Sequence, residues 1–282
     1  MMIQDIAPKH LDNHYDPAAR PASGDAALHF LGKQLLCRTE NGVLRFPTVA
    51  ELGEGDYTYL FRIDGTAFFL RRDASELTAP GYAYQSIMLF RTARPQENAF
   101  AAVTAFHLAS WYAEARFCGK CGAETVHDTA ERMMKCPKCG HMIFPKIMPS
   151  VIVAVTEGDK LLLTKYANRP DTNRFALVAG FTEIGETAEE TVAREVMEEV
   201  GLRVKNIRYY KSQPWGISAG GLLLGYWCEV DGTDEIHLDR MELAEGAWVS
   251  RDELRRVYED RGVSLTNEMV MEFIRGNNEA DC

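Results

Sequence analysis

The sequence predicts a mixed α/β protein of more than one domain. Three observations carry this. The residue pattern changes near position 146, two Cys-x2-Cys pairs sit close together at 118–139, and one strongly acidic helical segment follows a series of short β-type runs. With 282 residues, 46% hydrophobic and 26% charged, the chain has room for two or three domains and is not a disordered polymer. Its formal net charge is −10, unevenly spread. Residues 116–146 hold six basic and three acidic side chains, whereas 147–282 hold fifteen and twenty-five. That balance argues against coating nucleic acid by bulk charge, and it suits an anionic substrate only if metal cations intervene. No apolar run approaches the ~18 residues of a membrane span. Met1–His10 lacks the basic-then-apolar order of an export leader, so a cytoplasmic protein with no membrane partner is expected.

Taken in order, residues 1–25 are polar and rich in Pro, Asp and Ala, and read as a loose arm. Short β-type runs follow from Ala27 to about Leu89. Tyr57–Ile63 and Thr66–Leu70 flank Asp64-Gly65, a hairpin signal. Asn98–Arg116 is helical by the spacing of Phe100, Val103, Phe106, Trp111 and Tyr112. Residues 1–113 are therefore expected to form an N-terminal mixed α/β domain.

Cys118-x2-Cys121 and Cys136-x2-Cys139 come next, fourteen residues apart. Each turn lets two sulfurs face one point, and four thiolates suit tetrahedral Zn²⁺ with no open position, hence a structural ion. The expectation is a zinc ribbon over 114–145 in a reducing compartment, with free buried thiols or an iron–sulfur site as alternatives. His127 and His141 flank the set but are not needed as ligands. Cys37 and Cys228 read as buried apolar thiols and Cys282 as a tail thiol.

Past residue 146, strands are expected at Ser150–Thr156, Lys160–Lys165, Phe175–Val178, Ile207–Lys211, Leu222–Val230 and Ala247–Val249. Helices are expected at Glu186–Val200, stopped by Gly201, and at Arg251–Asp260 and Leu265–Arg275. Residues 180–202 carry seven glutamates and one arginine. In a helix Glu195, Glu198 and Glu199 share a face, where like charges repel unless a cation bridges them. All-oxygen ligation favours Mg²⁺ or Mn²⁺. Arg194 is placed to pair with Glu186 and tie the preceding loop to the helix, and Val192, Val196 and Val200 mark the buried side. The competing reading is a solvated acidic helix.

The same segment fits the Nudix box, G-x5-E-x7-R-E-U-x-E-E-x-G-U with U aliphatic. Gly180, Glu186, Arg194, Glu195, Val196, Glu198, Glu199, Gly201 and Leu202 all match. The chain thus resembles Nudix hydrolases. The resemblance implies an α/β/α sandwich over 146–282, preceded by the ribbon and the mixed domain, and hydrolysis of a nucleoside diphosphate linked to another moiety. It makes Glu195 and Glu199 principal ligands of Mg²⁺ or Mn²⁺, and Glu198 a ligand or the base. The ribbon together with Ser212-Gln213-Pro214-Trp215 is similar to NADH pyrophosphatases, over about residues 98–275. That family cleaves NAD(H) to nicotinamide mononucleotide and AMP, its bacterial members remove NAD caps from RNA, and its members usually form homodimers. Carried over by position, Phe181 and Phe144 stack on a base, Phe144 standing where the family has a tyrosine. Ser212–Trp215 contact substrate, and Glu242 is a fourth metal-binding glutamate. The chain departs from the family after Trp215: Gly216-Ile-Ser-Ala-Gly-Gly221 replaces a proline-rich loop of the substrate pocket, and Thr266 stands where relatives often have Ala. This loop is expected to be less rigid and to alter substrate choice. ADP-ribose, or another nucleoside diphosphate derivative, is the alternative substrate. A non-catalytic regulator is the distant alternative; its signature, an eroded box beside a strongly basic ribbon, is absent.

Overall fold

The computed structural model describes residues 2–167, 175–218, 220–260 and 262–276. Ala219 of the glycine-rich loop and the tail thiol Cys282 lie outside the described residues. The chain divides into two compact units. One holds Ile3–Ile147 together with Trp215–Gly220; the other holds Met2, Met148–Pro214 and the chain from Gly221 onward.

In the first unit the hairpin forms where the sequence placed it. Tyr57–Ile63 and Thr66–Arg71 pair antiparallel, with Asp64 at φ 48° in the turn. Ala26–Leu28 adds a parallel strand beside Thr66–Arg71. The helix runs Gln96–Glu114 and buries Phe100, Val103, Ala105, Trp111 and Tyr112. The loose arm is corrected. Ile3 and Ile6 are buried, and Leu11–Asp12 pairs antiparallel with Ile63 and Arg62. Tyr15 Oη donates to the Asp128 carbonyl at 2.8 Å, and the Arg132 guanidinium lies 5.3 Å from the Tyr15 ring. The arm has few apolar residues, but Ile3 and Ile6 are buried and Leu11 and Tyr15 find partners far along the chain, and composition alone does not register that.

The second unit is a six-stranded mixed sheet. Its order is Val204–Trp215, Gly221–Val230, Met148–Glu157, Lys160–Tyr166, Leu243–Ser250, with Val178–Phe181 also paired to Met148–Glu157. Met148–Glu157 and Gly221–Val230 run parallel; the Lys160–Tyr166 pairs are antiparallel. Along the Met148–Glu157 strand, side chains alternate between two cores. Val151, Val153 and Val155 pack with Val192, Val196 and Val200 of the helix Ala188–Val200. Ile152 and Ala154 pack with Met269, Val270 and Phe273 of the helix Leu265–Arg275. One helix therefore covers each face, and the α/β/α sandwich follows from that alternation.

Two strand boundaries differ from the sequence reading. Phe175–Val178 is not a strand: Ala176 makes an isolated bridge with Thr164, and the strand is Val178–Phe181, paired with Ser150–Val153. The strand expected at Ile207–Lys211 is longer, Val204–Trp215, and takes in Ser212–Trp215; it lies at the sheet edge, where Pro214 is tolerated. Helix Arg251–Val257 is shorter than expected, while Leu265–Arg275 matches.

Candidate active site and metal centre

The ribbon is built from two like turns. In each, the glycine after the second cysteine takes φ 72°, and its N–H reaches back to the carbonyl of the first cysteine. Gly122 N donates to Cys118 O at 2.8 Å and Gly140 N to Cys136 O at 3.0 Å. A side chain is disfavoured at that φ, so both turns need glycine. They bring together the sulfurs of Cys118, Cys121, Cys136 and Cys139, all within 4.8 Å of one another. Four soft thiolates at that closeness fit one tetrahedral Zn²⁺. His127 instead contacts Arg72, at 2.9 Å, and stays outside the sulfur set.

The acidic site begins with a well-capped helix. Thr187 caps Ala188–Val200 reciprocally with Glu190, and Gly201 ends it in the left-handed region. Arg194 is the hub. Its Nε and Nη2 donate to the two oxygens of Glu186 at 2.6 and 2.9 Å, Nη1 donates to Glu195 at 2.7 Å and Glu198 at 2.9 Å, and Nη2 also reaches Phe181 O at 2.9 Å. Glu186 further accepts from Thr191 Oγ1 and Glu183 N. The Arg194 guanidinium and these donors hold its carboxyl down at about 2. The loop is thus tied to the helix through the pair expected from the sequence.

Gly180 explains its own place in the pattern. It sits in the strand Val178–Phe181, and a Cβ there would fall under 3.0 Å from the Glu195 carboxyl carbon and both its oxygens. The absence of a side chain lets Glu195 lie against the strand. Glycine is a poor strand former, and this close approach is why one stands here.

Glu199 is 3% exposed and its Oε2 is buried without a hydrogen-bond partner. Burial, with the Glu195 and Glu242 carboxylates nearby, pushes its carboxyl up to about 8 against one hydrogen bond from the Ala179 backbone. Burial also raises Glu195; Arg194 opposes this, while Glu198 and Glu242 add to it. Glu242 thus belongs to the same electrostatic cluster, as does Asp239, which the sequence reading did not single out. An orphaned buried carboxylate oxygen among further carboxylates is a donor set for a hard divalent cation. Among the described residues these carboxylates do not converge as tightly as the four sulfurs, because Glu195 and Glu198 are both turned to Arg194.

The remaining expected site residues divide. Phe144 and Phe181 are each about half exposed, which removes a core role for either (52% and 51%). Ser212 is half-buried and Pro214 exposed. Gln213 is fully buried; its amide donates to Val263 O at 2.8 Å and accepts from Leu265 N at 2.7 Å, clamping the edge strand to the last helix. Trp215 is 9% exposed, with the Arg91 guanidinium 5.4 Å from its ring. The loop after Trp215 is corrected in one respect. Gly216 serves close packing: a Cβ there would lie 2.5 Å from Val103 O and 2.9 Å from His107 Cβ. Among the described residues no helix is long and apolar enough to cross a membrane.

Against known proteins, residues 146–269 match the NUDIX domain. Residues 113–144 match the NADH pyrophosphatase zinc ribbon domain, so the chain carries a Nudix domain behind a zinc ribbon of that type. It is 42% identical over 147 residues to the NAD-capped RNA hydrolase NudC of Pectobacterium carotovorum subsp. carotovorum, an alignment covering 52% of this chain and 55% of that protein. The NAD-capped RNA hydrolase NudC of Shigella flexneri is likewise 42% identical over 147 residues, covering 52% of this chain and 56% of that one. The chain spans about half the length of the curated relatives it matches. A NUDIX hydrolase structure from Nitrosomonas europaea superposes with TM-score 0.50 at 23% identity, over 59% of this chain and 94% of that one, which bears on the fold alone.

Proposed function

We propose that this protein is a divalent-cation-dependent pyrophosphohydrolase that cleaves the diphosphate of NAD(H) to nicotinamide mononucleotide and AMP, and also removes NAD caps from RNA. One observation carries the reading: the buried, unpartnered Oε2 of Glu199 in a cluster with Glu195 and Glu242. The NudC relatives, named as NAD-capped RNA hydrolases, support the NAD substrate.

Glu195, Glu199 and Glu242 would hold Mg²⁺ or Mn²⁺, with Glu198 as a further ligand or as the base. The bound ions supply neutralisation of the diphosphate oxygens and acidification of the attacking water. The chain's own residues prepare that site. Glu186 and Arg194 fix the loop against the helix, so the carboxylates start from one frame. Glu198 is 60% exposed and can turn from Arg194 to accept a proton from water. Phe181 and Phe144 offer ring faces to bases. Ser212 and Pro214 would contact substrate, with Gln213 fixing their strand to Val263 and Leu265. The same reading takes residues 1–113, 114–145 and 146–282 as its domains, a structural Zn²⁺ in the second, and a cytoplasmic homodimer as the working form.

The altered segment Gly216–Gly221 favours a second reading, ADP-ribose or another nucleoside diphosphate derivative as substrate. A dinucleotide panel with Mg²⁺ or Mn²⁺, resolved by chromatography, separates the two. NADH cleaved to two mononucleotides supports the first; brisk ADP-ribose hydrolysis without NADH cleavage supports the second. Glu198→Gln should abolish turnover at an unchanged melting temperature, and retained activity would refute the mechanism.

A further inference from the structure

The ribbon sheet, Val126–His127, Met134–Lys135 and Met142–Ile143, has two unlike faces. Met134 pairs with His127 and Ile143 across one row, and Met134 is buried. The next row pairs Lys135 with Val126 and Met142, and its side chains stand on the opposite face because neighbours along a strand alternate. Two residues beyond Met142 on the same side is Phe144; two before Val126 is Glu124, which bridges to Phe117. This outer face therefore carries Phe117, Val126, Met142 and Phe144, each 50–54% exposed. Large apolar side chains grouped this way on a surface mark a recognition site.

Its charge is all at close range. The Arg116 guanidinium lies 5.2 Å from the Phe117 ring, and Lys135 stands in the middle of the row. Lys120 and Lys138 take equivalent places in the two cysteine turns and are exposed. Among the described residues, Lys120, Lys135 and Lys138 make no ion pair. A zinc tetrathiolate would add two negative charges here, so bulk attraction is weak. What remains is rings and cations side by side, with one carboxylate, Glu124, held by Arg116 at 3.4 Å. Packing this face against a second protein surface would bury Lys135 without a partner, which is costly. A flexible polyanion with flat bases gives each group a partner, rings to bases and lysines to phosphates.

We propose that the outer face of the ribbon binds single-stranded RNA, with bases on Phe117 and its neighbours and phosphates on Lys120, Lys135 and Lys138. This rests on the reading of the protein as an NAD-cap hydrolase, since Phe144, its base-stacking residue, lies on the same face.

The test uses the full-length, zinc-loaded protein and a fluorescein-labelled, uncapped single-stranded RNA of about a dozen nucleotides, read by anisotropy. The wild type should bind, and weaken steeply between about 50 and 200 mM salt. Phe117→Ala with Lys135→Glu should weaken binding about tenfold or more, with zinc content and NADH turnover unchanged, and should raise KM for NAD-capped RNA. Lys120→Glu with Lys138→Glu, at the turn tips, is the second variant should the first misfold. No RNA binding by the wild type at low salt overturns the proposal. So does equal binding by a folded variant, or conversion of a dimer to monomers by the variant, which would make this face a contact between copies. RNA binding without NADH hydrolysis would sink the functional reading and leave the ribbon assignment standing.

Discussion

Gly180→Ala separates folding from catalysis at a single methyl group. The added Cβ would meet the Glu195 carboxylate at under 3.0 Å, whereas ordinary contact is 3.4–4 Å. The carboxylate therefore has to withdraw by about 1 Å or more, and a misplacement of that size at a reacting centre costs roughly 10²-fold in rate. The fold should tolerate the change. The obstructing atoms end a flexible side chain, and alanine in a strand recovers about 0.5–1 kcal/mol relative to glycine, against an overpacking cost of about 1–3 kcal/mol. The expected result is a melting temperature within a few degrees of wild type and a kcat for the proposed cation-dependent NADH hydrolysis lower by about two orders of magnitude, which is about 2.7 kcal/mol of barrier. A cation titration should show weaker activation in parallel. If kcat stays within about threefold while the protein is folded, Glu195 does not need its place over the strand, and the account of the site is wrong.

Three further outcomes follow from the same geometry. Arg194→Lys keeps the charge but replaces a planar fork that serves Glu186, Glu195, Glu198 and Phe181 O; kcat should fall at least about tenfold with a lower melting temperature, and an unchanged kcat would remove Arg194 as the hub. Glu199 is held up at about 8 from an ordinary 4.5, so folding favours its neutral form. In metal-free protein that contribution is full below about pH 4.5 and is lost as pH rises through 8; the melting temperature of wild type relative to Glu199→Gln should drop across this window, and Mg²⁺ should cancel the drop. A flat difference would contradict the burial argument. Cys136→Ser should lower both zinc content, measured by atomic emission, and thermal stability, because a closed thiolate site contributes folding energy directly. Unaltered stability would exclude a structural ion.

Much of the site was legible because its chemistry is local. The Glu186–Arg194 pair, the shared face of the glutamates and the two cysteine turns all follow from spacings within about one to three helical turns or one tight loop. The sandwich was expected from the resemblance to Nudix hydrolases, and its physical basis is that the run Ser150–Thr156 is buried on both parities. What escaped depends on distant partners. The arm at Ile3–Tyr15 packs against residues fifty or more positions away. Gly180 and Gly216 looked like a strand end and a flexible loop, yet each is an approach point for an atom of another element. Gln213 was read as a ligand contact, and its burial against Val263 and Leu265 cannot be inferred from the four-residue segment that contains it.

The segment Trp215–Gly220 also sets an order of events during synthesis. It packs with the unit formed by Ile3–Ile147, and Gly216 rests against Val103, roughly 110 residues earlier in the chain. The unit that leaves the ribosome first is thus completed by residues that emerge after most of the acidic helix and its sheet. Its last contacts close a long loop, a slow step that local turns do not share. A chain cut after Ile147 should accordingly leave the surface around Val103 and His107 bare, and the first unit should gain its full resistance to proteolysis only when residues 215–220 are present.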